Sequence, residues 1–204
     1  MICIIDYKIG NILSVKNALL KARLNCIVSN SHFEIKKAEA LILPGVGSFQ
    51  KGMKNLKDLN LIEILNEEVL VKKKKILGIC LGFQLMAKKS TEHGDNKGLG
   101  WIDCNVEKIK TINLRLPHVG WNNVLIHSKN NILLKDLENK LLFYFNHSYC
   151  IEKIKDKNFQ TILTCKYGTN FITLGKKFNI IGIQPHPEKS QLNGIKFLKN
   201  CFKN

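Results

Sequence analysis

Short apolar runs punctuate the first half of the chain, and each leads into a stretch whose apolar residues recur at helical spacing. Ile2–Asp6 is an almost unbroken apolar run, as a strand covered on both faces requires. Leu13–Ala22 follows with apolar residues three and four apart and Ser14 near its start, which predicts a helix. Asn25–Ser29 and Ala40–Leu43 read as the next strands, the latter ending on Pro44-Gly45. Leu59–Val71 predicts a helix, Lys75–Ile79 a fourth strand, and Leu81–Lys88 another helix. This alternation argues for an α/β fold with a parallel sheet and helices on both faces. Right-handed crossovers carry the strand C-terminal ends to one edge, where such sheets bind ligands.

Beyond residue 100 the rhythm changes. Val106–Lys110, Asn123–Ile126, Leu142–Tyr144, Tyr149–Ile151, Thr161–Tyr167, Phe171–Leu174 and Ile180–Ile183 read as short strands separated by turns, with little helix between them. Mixed or antiparallel additions to the sheet are expected there, closed by a helix over Gly194–Phe202. No repeat, low-complexity linker or hinge interrupts the 204 residues, so one domain spanning 1–204 is expected. No apolar stretch approaches the ~20 residues of a membrane span. The N-terminus lacks the basic lead-in of a signal peptide. A cytoplasmic protein with no membrane partner is therefore expected.

Charge and cysteine content narrow the chemistry. The net charge is +16, from 32 Lys+Arg against 16 Asp+Glu. This fits either an acidic partner or a general bias toward Lys, Asn and Ile. The longest basic run, Lys72 to Lys75, leads straight into a strand, and basic residues are not interleaved with aromatics as base stacking needs. Nucleic acid is not an expected partner. The seven cysteines are odd in number and form no Cys-x-x-Cys pair, so neither a disulfide framework nor a zinc site is expected. No metal and no cofactor are called for.

One cysteine stands in a special setting. Gly78-Ile79-Cys80-Leu81-Gly82 lies between a strand and a helix, the arrangement of a nucleophile elbow. The turn is so tight that side chains at the flanking glycines would collide with backbone, and the following helix N-terminus favours a thiolate. A buried thiol at a glycine-flanked strand end is the plainer alternative. A thiolate needs a base, and the base an orienting group. His186 follows the strand Ile180–Ile183 in Gln184-Pro185-His186-Pro187-Glu188, bracketed by prolines. In an extended segment, Glu188 two residues on shares a side with His186 and can hold its ring. A surface histidine in a proline turn is the alternative. Pro44-Gly45-Val46-Gly47-Ser48-Phe49 follows the third strand, and its amides can approach a ligand closely or hold an oxyanion. It also reads as an ordinary strand-to-helix turn.

Together these segments resemble the class I (triad) glutamine amidotransferases, and within them the glutaminase subunits of imidazole glycerol phosphate synthase. The likeness extends to Ile5-Asp6-Tyr7-Lys8-Ile9-Gly10-Asn11, Lys97-Gly98-Leu99-Gly100-Trp101, Pro117-His118-Val119-Gly120-Trp121-Asn122 and Phe143-Tyr144-Phe145-Asn146-His147-Ser148-Tyr149. The resemblance implies a flavodoxin-like, mostly parallel sheet and a Cys80–His186–Glu188 triad that hydrolyses L-glutamine. It implies an oxyanion hole from the Leu81 amide and the Val46 or Gly47 amide. Gly45, Gln84, Glu92, His147, Ser148 and Tyr149 match positions that hold glutamine. Asn11, His118, Trp121, Asn122 and Lys189 match the face docked, as a heterodimer, on a (β/α)₈-barrel cyclase of histidine biosynthesis. The chain departs from the family at Lys8, where a glycine is usual, at Asp103-Cys104, and at Pro185 before His186. A paralogous glutaminase feeding the amidation of a bacterial surface sugar would suit these departures. A cysteine peptidase or deglycase on a similar fold and a non-catalytic interaction module are the other classes.

Overall fold

The computed structural model describes residues 1–137 and 141–203. The chain opens with strand β1 (Ile2–Ile5), helix α1 (Ile12–Lys21), β2 (Cys26–Ser29), α2 (His32–Lys37), β3 (Ala40–Leu43), α3 (Phe49–Asp58) and α4 (Leu61–Asn66). Then come β4 (Lys75–Ile79), α5 (Leu81–Leu85), β5 (Ala87–Ser90), β6 (Asn96–Lys97), β7 (Ile102–Lys108), β8 (His118–Asn123) and β9 (Leu125–Ile126). The last part holds β10 (Leu142–His147), β11 (Tyr149–Cys150), β12 (Gln160–Tyr167), β13 (Thr169–Lys177), β14 (Ile180–Ile183) and α6 (Gln191–Phe202).

Among the described residues, eight strands share one sheet in the order β2-β1-β3-β4-β14-β13-β12-β9. The first five positions are parallel and the last three join antiparallel. The continuous apolar runs have a direct cause. In β1, Ile2 and Ile4 face one core while Cys3 and Ile5 face the other. In β3, Ala40 and Ile42 divide from Leu41 and Leu43 in the same way. A sheet buried on both faces needs apolar residues at every position rather than every second one. Each buried Leu or Ile contributes roughly 1.5–3 kcal/mol. α1 and α6 cover one face, with Val15, Leu19, Phe197 and Leu198 in the core. α3, α4 and α5 cover the other through Phe49, Leu56, Leu61, Leu65, Leu81 and Leu85.

The predicted elements recur with some shifts. The helix predicted over Leu59–Val71 is α4 followed by a π-helical turn at Glu67–Val71. There Glu68 is buried and bonded to both Lys72 and Lys74. The helix predicted over Leu81–Lys88 stops at Leu85, because Ala87–Ser90 pairs in parallel with β7. The strand predicted over Asn123–Ile126 is divided between β8, paired to β10, and β9, paired to β12. α2 and α3 were not apparent in the apolar pattern.

The pairing of β14 with β4 sets up the rest. Gly182 is opposite Gly78 and Ile183 opposite Ile79, so the residues that follow the two strands emerge side by side. Leu43 of β3 is opposite Gly78 on the other flank. Three segments far apart in sequence thus end at one edge of the sheet.

Candidate active site

Cys80 stands where β4 turns into α5, with φ 50° and ψ −106°, a strained conformation for a residue other than glycine. Both neighbouring glycines are required by contact. A Cβ on Gly82 would lie 1.8 Å from the Leu43 carbonyl oxygen, and one on Gly78 would lie 2.7 Å from Met86 Cε. The Cys80 amide donates to the Ile183 carbonyl at 2.8 Å, tying the elbow to β14. α5 has only five residues, so the dipole behind Cys80 is smaller than the predicted helix would supply.

His186 is 1% exposed. Its amide donates to the Tyr144 carbonyl at 2.8 Å, and its own carbonyl accepts the Ser190 hydroxyl at 2.6 Å. Nδ1 lies 2.8 Å from Glu188 Oε1. The expected extended segment is instead a 3₁₀ turn over Pro187–Lys189, and this turn brings the Glu188 carboxylate back to the ring. Burial pulls the His186 pKa down, but negative charge on the neighbouring Cys80 and the Glu188 carboxylate outweigh it and push the ring up to about 10. Nε2 has no well-aligned hydrogen-bond partner of its own. Sγ is 3.9 Å from the Asn146 carbonyl, and Gln184 Nε2 donates to it at 3.5 Å.

The loop after β3 packs against this elbow. The buried Tyr7 hydroxyl donates to the Pro44 carbonyl, and burial raises the Tyr7 pKa above the ordinary tyrosine range. A Cβ on Gly45 would lie 2.6 Å from Leu81 Cβ and 2.8 Å from the Tyr7 hydroxyl. Gly47 has φ 140°, open to glycine and strained for other residues. A cleft of about 210 Å³ lies over Cys80, lined by Val46, Gly47, Leu81, Gln84, Glu92, His147, Ser148 and Tyr149, with Pro117 and Asn146 completing it. Those eight were among the sequence-predicted site residues, and Gly45 sits just behind. Glu92 Oε2 accepts the Phe49 amide at 2.7 Å, which links the cleft to the start of α3. His186 and Glu188 lie behind Cys80 rather than in the cleft wall.

The residues assigned to a docking face divide. Trp121 is 45% exposed, Lys189 is exposed with Nζ 5.3 Å from the Tyr144 ring centroid, and Asn122 and Asn11 are half-buried. Asn11 caps α1 by accepting the Ser14 amide. His118 departs from the expectation: it is 3% exposed, stacked between Phe145 and Tyr167 at 4.7 and 4.0 Å, and so is covered rather than presented at the surface. Gln184 and Tyr7 were not singled out from the sequence as site residues. Gln184 left one usable signal, a polar residue directly after a fully apolar strand. Among the described residues, no group of three His, Cys, Asp or Glu side chains is placed to hold a metal ion, and no helix is long and apolar enough to cross a membrane.

The arrangement suits acyl transfer: a strained cysteine in a cleft, a histidine–carboxylate pair behind it, and a glycine-rich loop beside it. A family model described as glutamine amidotransferase class-I matches residues 3–204. The chain belongs to the class I glutamine amidotransferases. Among curated members of this amidotransferase family, it is 45% identical to imidazole glycerol phosphate synthase subunit HisH 2 of Methanococcus maripaludis, covering 100% of this chain and 99% of that one. It is also 45% identical to subunit HisH 1 of Campylobacter jejuni, with 98% of each chain covered. A solved glutamine amidotransferase superposes with a TM-score of 0.77 at 15% identity, covering 98% of both chains. A glutamine amidotransferase of Thermotoga maritima gives 0.61 at 17% identity, covering 92% of this chain and 75% of that one. At such identities these two likenesses concern the fold alone. The mostly parallel α/β architecture is thus that of other amidotransferases.

Proposed function

We propose that the chain is the glutaminase subunit of an imidazole glycerol phosphate synthase. It hydrolyses L-glutamine to glutamate and ammonia and passes the ammonia to a (β/α)₈-barrel cyclase subunit of histidine biosynthesis. One observation carries the reading: the Cys80 elbow and the His186–Glu188 pair meet across β4 and β14. End-to-end 45% identity to HisH relatives supports the choice of subunit.

The chemistry follows from the geometry. Cys80, as thiolate, attacks the side-chain carbonyl carbon of glutamine in the cleft. The oxyanion is held by the Leu81 amide and by an amide of the Val46–Gly47 segment. Losing one such donor typically costs ~100- to 1000-fold in rate. His186, held protonated by the negative sulfur and Glu188, gives its proton to the departing nitrogen, and ammonia leaves. A water then adds to the glutamyl thioester with His186 as base, and glutamate departs as the sulfur regains its charge. Glu188 orients the ring throughout and stabilises its charged form. Gly45, Gln84, Glu92, His147, Ser148 and Tyr149 form the glutamine-binding set, with the Glu92 carboxylate suited to the substrate ammonium.

Free ammonia is largely protonated at neutral pH and then no longer nucleophilic. A glutaminase that feeds a second active site gains from docking tightly and from resting until the acceptor is bound. Asn11, Trp121, Asn122 and Lys189 form the docking face in this reading. The deciding experiment is glutamine turnover by the chain alone and with the histidine-pathway cyclase plus its acceptor. Stimulation of roughly tenfold or more is expected. Stimulation only by a sugar-amidating barrel would favour the paralogous reading. Absence of turnover with either, together with no glutamine protection of Cys80 from alkylation, would overturn the glutaminase assignment.

A further inference from the structure

A file of hydrogen bonds runs from the surface beside Trp121 to the sulfur of Cys80. Asn122 Nδ2 lies 3.3 Å from His118 Nε2, and His118 Nδ1 lies 3.2 Å from His147 Nε2. His147 Nδ1 lies 2.8 Å from the Tyr149 carbonyl oxygen. Gln84 Nε2 donates to that same oxygen at 2.7 Å and to Gln184 Oε1 at 3.1 Å. Gln184 Nε2 donates to Cys80 Sγ at 3.5 Å. His118, His147, Gln84 and Gln184 are all buried. Placing four polar side chains away from water is costly unless each is bonded, and this file supplies the bonds.

The direction of every link is determined. A carbonyl oxygen only accepts, so His147 carries its proton on Nδ1. Burial, the dominant influence on both rings, holds them neutral, with His147 pushed down to about 3 and His118 to about 4. The neutral His147 has a bare Nε2 that can only accept, so His118 donates from Nδ1. His118 in turn has a bare Nε2 and accepts from the Asn122 amide. Both N–H groups of Gln84 are committed, one to the Tyr149 carbonyl and one to Gln184 Oε1. This turns the Gln184 amide so that its nitrogen faces the sulfur. Stacking between Phe145 and Tyr167 keeps the His118 ring from rotating. No member can flip without breaking a neighbour's bond.

We propose that Gln184 is a positioning residue for the Cys80 sulfur, oriented through Gln84, the Tyr149 carbonyl, His147 and His118 by Asn122, so that contacts made at Asn122 are transmitted to the nucleophile. The proposal rests on the glutaminase reading and deepens it. An N–H aimed at a negatively charged sulfur both stabilises it and restricts its direction of attack. A partner that holds Asn122 in its present orientation stiffens the file, and loss of a link slackens Gln184. The docking face thereby reaches the reacting atom without any movement of the main chain.

The test uses the full chain. Gln184→Met preserves volume, and His118→Phe preserves the ring stack, but each removes its links. Alkylation of Cys80 by iodoacetamide at pH 7, read from the mass of its own peptide so that other thiols do not interfere, should slow about threefold to tenfold in each variant. The kcat for glutamine should fall to a similar degree and KM should change less than kcat, since neither side chain itself lines the cleft although each bonds a residue that does. The double variant should be no slower than Gln184→Met alone, because both act along one file. Losses that multiply, or a His118→Phe chain that reacts at the parent rate, overturn the relay. Should His118→Phe fail to fold, Asn122→Ala replaces it: non-additivity with Gln184→Met supports the relay and multiplied losses overturn it. A parent chain that is alkylated at Cys80 but turns over no glutamine with any partner refutes the functional reading, while the alkylation rates still judge the relay.

Discussion

Three buried histidines sit near one cleft and are driven in opposite directions. His186 gains a carboxylate and a negative sulfur that outweigh its burial, and it rises; burial drives His118 and His147 down, with the charge on His186 adding to the fall of His147. For the falling pair, the unfolded chain binds more protons than the folded one from the ordinary value of 6.5 down to about 4 for His118 and about 3 for His147. Stability therefore drops as pH falls through that window, by an amount on the order of a few kcal/mol. A thermal-unfolding series should show the melting temperature falling steeply from pH 6.5 to 4, and His118→Phe should flatten part of that slope. His186 acts oppositely: it is protonated in both states below its ordinary range, and its contribution fades only as pH rises toward about 10. Substitution of Cys80 or His186 by Ala should lower glutamine turnover by roughly 10⁴-fold or more while leaving the fold intact. Glu188→Gln keeps the size but not the charge, and turnover should fall ~10- to 100-fold. Turnover of that variant at the parent rate would remove Glu188 from the chemistry.

At the scale of elements, the elbow depends on backbone passing close to backbone. Gly82 meets the Leu43 carbonyl, an atom that cannot swing aside as a flexible side chain would. Gly82→Ala should therefore cost on the order of 3 kcal/mol or more and be seen as a large drop in melting temperature or as insoluble protein. A near-parent melting temperature would show that β3 and α5 can separate more easily than their packing suggests. α3 explains why a helix can escape an apolar pattern. Its buried positions are Phe49, Gly52, Asn55 and Leu56, so two of the four core-facing residues are not apolar. Asn55 is held there by its bond to the Tyr7 carbonyl at 2.8 Å. α5 shows the converse: its apolar pattern continues past Leu85, but pairing of Ala87–Ser90 with β7 ends it.

For the molecule as a whole, a buried thiol must answer to a second protein in the proposed reading. The exposed Trp121 indole lies next in sequence to Asn122, the outer end of the file that reaches the sulfur. Large aromatic side chains often dominate the binding energy of an interface. Trp121→Ala should weaken partner binding by roughly 30-fold or more, measured by titration of the cyclase subunit, with little change in unfolding temperature. Unaltered affinity would place the docking surface elsewhere. The surplus of 32 basic over 16 acidic side chains adds an expectation for association: its rate should fall with added salt if the partner presents an acidic face.

Much of this was legible along the chain because its causes are local. Ala40–Leu43, Lys75–Ile79 and Ile180–Ile183 coincide with β3, β4 and β14, since a strand buried on both sides needs an unbroken apolar run. The glycines at 78 and 82 announced the elbow, since only a missing side chain admits the neighbouring backbone. Other features have no local signature. Register between β4 and β14 brings Cys80 beside Gln184, 104 positions away. Whether the His118 ring is exposed or covered depended on the rings of Phe145 and Tyr167 closing around it. The proton positions on two histidines and the orientation of two amides follow from burial and from which neighbour can only accept. Those conditions exist only once distant segments have packed together, so no reading of neighbours along the chain contains them.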